Sequence, residues 1–125
     1  MLSTLAQVAL GGALGASGRY LIQVASLRLL GAGFPWGTLA INVAGCFAMG
    51  LLVVALAQLG ATRFGPFLMT GVLGGFTTFS AFSLDAVALW ERGQPGLAAA
   101  YVAGSVVLSL AALGAGLWFA RSTWA

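Results

Sequence analysis

Four long hydrophobic stretches constrain what this chain can fold into more than any other feature of its sequence. They cover about residues 2–30, 37–59, 67–90 and 97–121, and three short breaks rich in glycine and proline separate them. Each stretch is near or above the roughly 20 residues that a helix needs to cross a bilayer. The breaks leave no room for a soluble domain. We therefore predict an all-α membrane protein in which residues 1–125 form a single domain of four transmembrane helices.

The charge content supports lipid as the solvent for most of the chain. Charged residues make up 6% of the sequence and hydrophobic residues 61%, whereas a soluble domain carries roughly 25% charged residues. Seven charges could not cover the surface of a water-soluble domain of 125 residues. Four tryptophans lie near the ends of the stretches, where interfacial aromatics are expected: Trp36, Trp90, Trp118 and Trp124.

The few ionisable residues exclude several classes of function. Five arginines and two acids are too sparse for the basic patch of a nucleic-acid-binding protein. Histidine is absent and Cys46 is the only cysteine, which removes most metal sites and every intrachain disulfide. We interpret Cys46, within an apolar run, as a buried packing residue. The sequence contains no nucleophile–base pair and no cofactor motif, so we do not expect an enzyme.

The arginines do not favour one orientation in the membrane. With four spans, Arg63 and Arg121 lie on one side and Arg28 and Arg92 on the other, while Arg19 lies too far inside the first span to count. Cytoplasmic loops normally carry the excess of Lys and Arg. Two topologies therefore stay open. The chain inserts both ways, so that opposed copies form an antiparallel dimer, or an external factor sets a single orientation.

Polar side chains inside the stretches are the first candidates for function, because polar groups are costly in lipid unless they are satisfied. Six hydrogen-bond donors lie in the first, second and fourth stretches: Arg19, Thr38, Asn42, Tyr101, Ser105 and Ser109. The pair in the second stretch is one helical turn apart, and the three hydroxyls of the fourth follow at i, i+4 and i+8. Together these donors would suit a dehydrated anion. The alternative is that each one bonds a neighbouring helix.

The third stretch contains adjacent glycines followed by paired threonines, which are poor helix formers. We predict that this helix is broken near its centre, where freed backbone groups would line an ion site. A close helix crossing at small residues is the alternative. Phe79 and Phe82 are three residues apart and share a face beside the break. Their electropositive ring edges would favour a small anion, although packing is the more ordinary role of phenylalanine.

Three segments resemble the signatures of a known family, the Fluc (CrcB) fluoride channels. Residues 11–20 read GGALGASGRY and are similar to the first-helix signature of that family. Residues 35–42 read PWGTLAIN and resemble the second-helix pattern, and residues 74–83 read GGFTTFSAFS and resemble the centre of the third helix. The resemblance covers essentially the whole chain in order. Ala81 stands where many relatives have threonine.

This resemblance implies passive export of toxic fluoride across the cytoplasmic (inner) membrane of a prokaryote. It implies a dual-topology homodimer with two antiparallel pores built from both subunits. Phe79 and Phe82 would coordinate fluoride, and Asn42 would be the polar pore residue. Arg19 would shape the potential of the vestibule. A hydrogen-bonding track would continue through four hydroxyls: Thr38, Tyr101, Ser105 and Ser109.

The resemblance also implies a structural sodium ion at the centre of the dimer as the only cofactor. Gly74 and Thr77 would bind it through their backbone carbonyls. Carbonyl oxygens are hard ligands, suited to a hard cation. One chain offers too few oxygens to enclose an ion, but two crossing chains would double them.

Two other functions remain open from the residues alone. A small dual-topology drug–proton antiporter would need an acid embedded in the membrane. The first stretch has none, and Asp85 lies near a helix end. A structural subunit of a larger membrane complex would not require the polar faces of the second and fourth stretches to converge with Phe79 and Phe82.

Overall fold

The computed structural model describes residues 1–124, which fold into helices joined by short loops. The α-helices are α1 (Leu2–Leu30), α2 (Trp36–Gln58), α3 (Gly74–Phe76), α4 (Ser80–Glu91) and α5 (Pro95–Thr123). A 3-10 turn (Thr62–Phe64) and a π-helix (Pro66–Leu73) precede α3. We call the stretch from Thr62 to Glu91 the third helical segment. The predicted all-α architecture with four helical segments is confirmed.

Among residues 1–124, three of the four segments are long and apolar enough to cross a membrane. They are α2, the third helical segment and α5. Helix α1 has 29 residues, more than a bilayer requires, but it is less apolar. Its polar residues Arg19 and Gln23 face other parts of the protein, where they donate hydrogen bonds to Gly75 and Thr38. That α1 also crosses the membrane stays a prediction.

The loops after α1 and α4 turn at glycines. Gly31 has φ 78° and Gly93 has φ 76°, in the left-handed region that glycine adopts without a steric penalty. Such a residue commonly ends a helix. The first and third breaks between the hydrophobic stretches therefore coincide with helix ends at which a glycine has a positive φ.

Two helix pairs make the closest contacts. Helix α2 packs along α5, and α1 packs along the π-helix and α3. A Cβ added at Gly116 would lie closer than 3.0 Å to the Phe47 carbonyl oxygen, and one at Gly15 would lie equally close to the Val72 carbonyl oxygen. Small residues allow this close backbone approach between membrane helices.

A small apolar core lies where α4, α5 and the loop before α2 meet. Leu89, Ala98 and Tyr101 are buried there, and Phe34 and Phe82 pack against them. Most other large apolar side chains point outward, as expected for helices whose solvent is lipid. This core holds Tyr101 and Phe82 next to each other at one end of the candidate site.

The backbone between α3 and α4 is not helical. Thr77 is extended, with φ −79° and ψ 157°, and α4 begins only at Ser80. An extended residue interrupts the series of i to i−4 hydrogen bonds. The Gly75 carbonyl and the Thr78 backbone groups bond side chains instead, and these side chains belong to the candidate site.

Candidate functional site

A cavity of about 420 Å³ lies between α2, the α3–α4 connection and α5. We call it the central groove. It is lined by Asn42, Cys46, Gly74, Thr77, Thr78, Phe79, Phe82, Ser105, Val106 and Ser109. The structure thus brings together seven of the ten residues that the sequence nominated. The other three, Arg19, Thr38 and Tyr101, lie outside the groove lining.

Asn42 is anchored to the extended backbone between α3 and α4. Its Nδ2 donates a hydrogen bond of 3.0 Å to the Thr78 carbonyl oxygen, and its Oδ1 accepts one of 2.9 Å from the Thr78 N–H. Because the backbone N–H can only donate and the carbonyl can only accept, these two bonds fix the orientation of the amide. One Nδ2 hydrogen remains for a ligand. Asn42 therefore holds the non-helical segment as well as lining the groove.

The paired threonines stabilise the two helix ends on either side of the connection. The Thr77 hydroxyl donates to the Leu73 carbonyl at 2.9 Å. The Thr78 hydroxyl accepts from the Ala81 N–H at 3.1 Å, in the first turn of α4. Threonine side chains commonly compete with helical hydrogen bonding in this way. This explains why the chain leaves the helix at these two positions.

Arg19 bonds the same region from the opposite side. Its Nε donates to the Gly75 carbonyl at 3.1 Å. In an uninterrupted helix this carbonyl would accept from the N–H four residues later, but the extended Thr77 intervenes. The structure thus places Arg19 against the backbone of α3. Its predicted effect on the vestibule potential stays a prediction.

The carbonyls of Gly74 and Thr77 are suitable for the predicted cation. Around the connection, the carbonyls of Leu73, Gly75 and Thr78 accept hydrogen bonds. Within residues 1–124, no such bond outside the helices or from a side chain reaches the Gly74 or Thr77 carbonyl. No group of three His, Cys, Asp or Glu residues that could hold a metal occurs in this range either. The predicted cation site stays a prediction.

Aromatic rings form a row from the central groove toward the loop before α2. Phe79 and Phe82 have ring centroids 5.6 Å apart, and Phe82 lies 5.2 Å from Tyr101. Phe34 meets Tyr101 edge-on at 5.5 Å. Phe79 is 77% exposed, so it is largely uncovered in a single chain. Phe82, in contrast, is held against the apolar core.

Ser105 lines the central groove and has a buried hydroxyl. The residue is 5% exposed, and its buried Oγ has no hydrogen-bond partner in residues 1–124. A buried polar group without a partner is costly. Ser109 lies one turn further along α5 and lines the same cavity. That this pair donates to an ion in the groove stays a prediction.

Cys46 also lines the central groove, one turn after Asn42 on α2. It is only partly buried. Cys46 is therefore less buried in one chain than expected, because it lines the cavity, and its role in packing stays a prediction.

A second cavity, of about 440 Å³, lies at the end of the molecule where α1 stops. We call it the mouth cavity. It is lined by Gln23, Ser26, Leu27, Gly31, Ala32, Phe34, Pro35, Trp36, Gly37, Thr38, Asp85, Ala88 and Arg92. Thr38 is buried here and accepts from Gln23 Nε2 at 2.9 Å. Tyr101 donates to Asp85 Oδ2 at 3.2 Å.

The two cavities occupy successive turns of α2, since Thr38 lines one and Asn42 the other. Sequence reasoning did not nominate Gln23 as a site residue. A signal was present, because Gln23 follows Arg19 by four residues and so shares its helical face.

Comparison with known proteins agrees with the three sequence signatures. Residues 6–117 match the model of the family described as CrcB-like protein, Camphor Resistance (CrcB). A protein of Cereibacter sphaeroides named fluoride-specific ion channel FluC is 69% identical over 117 residues, 94% of each chain. Proteins with the same name from Paracoccus denitrificans and a Ruegeria species are 58% and 59% identical over 100% and 97% of each chain. This chain belongs to the CrcB family.

Proposed function

We propose that this chain is a subunit of a fluoride-selective channel through which fluoride leaves the cytoplasm passively. The observation that carries the proposal is the lining of the central groove, where Phe79 and Phe82 lie together with Ser105, whose buried hydroxyl has no partner among residues 1–124. The relatives named as fluoride-specific ion channels support the identity of the ion. The process is transport without chemical conversion, so no catalytic residue is proposed. The bacterial relatives support the cytoplasmic membrane of a prokaryote as its location.

The central groove offers a dehydrated anion several weak interactions. Ser105 and Ser109 provide hydroxyl donors, and Asn42 retains one amide hydrogen after bonding Thr78. Phe79 and Phe82 provide electropositive ring edges. No charged side chain lines the groove in the described chain. An ion bound only by neutral groups at several neighbouring positions can also leave, which conduction requires.

The mouth cavity would be the entrance to this path. Thr38 lies there and accepts a hydrogen bond from Gln23, and Tyr101 lies behind the lining, where it donates to Asp85. Thr38 and Asp85 would extend the polar lining from the groove toward the end of the molecule. The only acid near this path, Asp85, lies in the mouth cavity and outside the central groove. This position argues against a proton-coupled antiporter whose acid binds the substrate at mid-membrane.

We infer that a second copy in the opposite orientation closes the groove. In one chain, Phe79 is 77% exposed beside the polar groups of Asn42 and Ser109. Polar groups facing lipid are costly, and a partner would remove them from it. The even distribution of arginines at the two ends favours antiparallel insertion. Two pores built from both subunits would follow from this symmetry.

We also propose that Gly74 and Thr77 of both copies bind a structural sodium ion. Their carbonyls have the right chemistry for a hard cation and accept none of the hydrogen bonds described around the connection. The test is dialysis of the detergent-solubilised dimer against N-methylglucamine, followed by measurement of dimer stability and flux with sodium or potassium. If neither dimer stability nor flux changes with sodium, while residual sodium is below the protein concentration, the site does not exist.

The channel proposal is tested in liposomes that contain the purified protein and a fluoride load. A fluoride electrode should record rapid efflux after the membrane potential is released with a potassium ionophore, and a chloride load should give none. An imposed pH gradient should not be required for efflux. Efflux that needs a proton gradient, or equal chloride efflux, would overturn the proposal.

A further inference from the structure

Cys46 is placed where a chemical change would alter the path of the ion. It is the only cysteine of the chain, and it lines the central groove in a partly exposed position. On α2 it follows Asn42 by one turn, so both side chains share one face. Ser105 lines the same groove, and its buried hydroxyl has no hydrogen-bond partner among residues 1–124. A buried polar group without a partner calls for one, so this observation points, independently of the thiol, to a ligand at the groove.

The contacts of α2 near Cys46 restrict where a group added to its sulfur can lie. A Cβ at the neighbouring Gly45 would lie closer than 3.0 Å to the Thr77 side chain. Asn42 holds α2 to Thr78 through two hydrogen bonds. Helix α2 is therefore held against the α3–α4 connection at Asn42 and at Gly45, within one turn of Cys46. A substituent on Cys46 cannot be accommodated by a shift of this helix toward that connection.

We propose that Cys46 is a modification site at which small, uncharged, thiol-directed electrophiles close the pore. The proposal rests on the proposed channel function. Methyl methanethiosulfonate is a suitable probe because it carries no charge and adds only a methylthio group. In this reaction the Cys46 thiol gives its proton to water, and its sulfur forms a disulfide with the methylthio sulfur of the reagent. The sulfur–sulfur bond of the reagent breaks, and methanesulfinate leaves with the electron pair.

The added group would occupy the space between the rings of Phe79 and Phe82 and the hydroxyls of Ser105 and Ser109. A group that fills this space raises the free energy of a fluoride ion that passes through the groove. We expect modified channels to conduct fluoride at least about tenfold more slowly than untreated ones. A reducing agent should restore flux, because the mixed disulfide is cleaved by thiol–disulfide exchange.

The experiment measures fluoride efflux from liposomes before and after treatment, with each protein compared with its own untreated sample. Three proteins are used. The unaltered chain should lose flux, and Cys46→Ala should not respond. A matched control, Cys46→Ala combined with Ala99→Cys, moves the thiol to an exposed position on α5 outside both cavities. It should react and keep its flux. Intact-protein mass spectrometry reports the extent of reaction in every sample.

Two results would overturn the proposal. One is complete modification of Cys46 with unchanged flux, which would place the thiol away from the ion path. The other is absence of modification in the folded protein under conditions that fully label the denatured chain. If the untreated protein carries no fluoride, the channel proposal itself fails, and mass spectrometry still shows whether the groove admits the reagent.

Discussion

Replacing Asn42 by alanine tests whether this residue holds the fold or only contacts the ion. The change removes two hydrogen bonds, of 3.0 and 2.9 Å, between α2 and the Thr78 backbone. Interhelical hydrogen bonds in membrane proteins contribute about 0.6 kcal/mol each on average. A backbone group left unpaired in a buried place costs about 1–3 kcal/mol. We therefore expect Asn42→Ala to lower the free energy of unfolding by about 1–4 kcal/mol.

Asn42→Asp is the matched variant. An ionised aspartate has the same shape and still accepts from the Thr78 N–H, but it cannot donate to the Thr78 carbonyl. It also adds a negative charge to the groove. We expect at least as large a loss of stability as with alanine, because the charge has no charged partner in the groove and lies against the Thr78 carbonyl. We also expect loss of fluoride flux, because the charge repels the anion.

The assay combines denaturant or thermal unfolding in detergent, followed by tryptophan fluorescence, with fluoride efflux from liposomes. We expect both variants to lower both stability and flux. If Asn42→Ala unfolds like the unaltered protein while flux falls, Asn42 acts only on the ion. The anchoring role assigned to its two hydrogen bonds would then be wrong.

Three further predictions follow from the packing, the groove and the charge pattern. Gly15→Ala should lower the free energy of unfolding by about 1–3 kcal/mol, because its Cβ would lie within 3.0 Å of the α3 backbone. Gly12→Ala is the control, since a Cβ there would meet no neighbouring atom within 4 Å. Equal unfolding of these two variants would contradict the helix contact. Phe79→Ile and Phe82→Ile should each reduce flux in a folded dimer because the electropositive ring edge is lost. Unaltered flux in both would assign the rings to packing. Two or three arginines added to the loop after α4 should bias insertion and lower flux until an oppositely biased copy is co-expressed. Full activity of the biased chain alone would exclude antiparallel pairing.

The sequence by itself determined the positions of the helices and the identity of the family. The stretches expected at residues 2–30, 37–59 and 97–121 correspond to Leu2–Leu30, Trp36–Gln58 and Pro95–Thr123. This agreement has a local cause. Hydrophobic length decides which segments can be helices in lipid, and glycine and proline at the breaks decide where they end.

Only the tertiary structure decided what the polar residues bond to. Arg19 reaches the Gly75 carbonyl across 56 positions of the chain, and Asn42 reaches Thr78 across 36. The sequence nominated Arg19 and Asn42 as pore residues, but their backbone contacts depend on how α1 and α2 pack against the third helical segment. The division between the mouth cavity and the central groove has the same origin. A polar side chain in a membrane protein takes its partner from whichever helix lies nearest, and that neighbour is set by packing rather than by position in the chain.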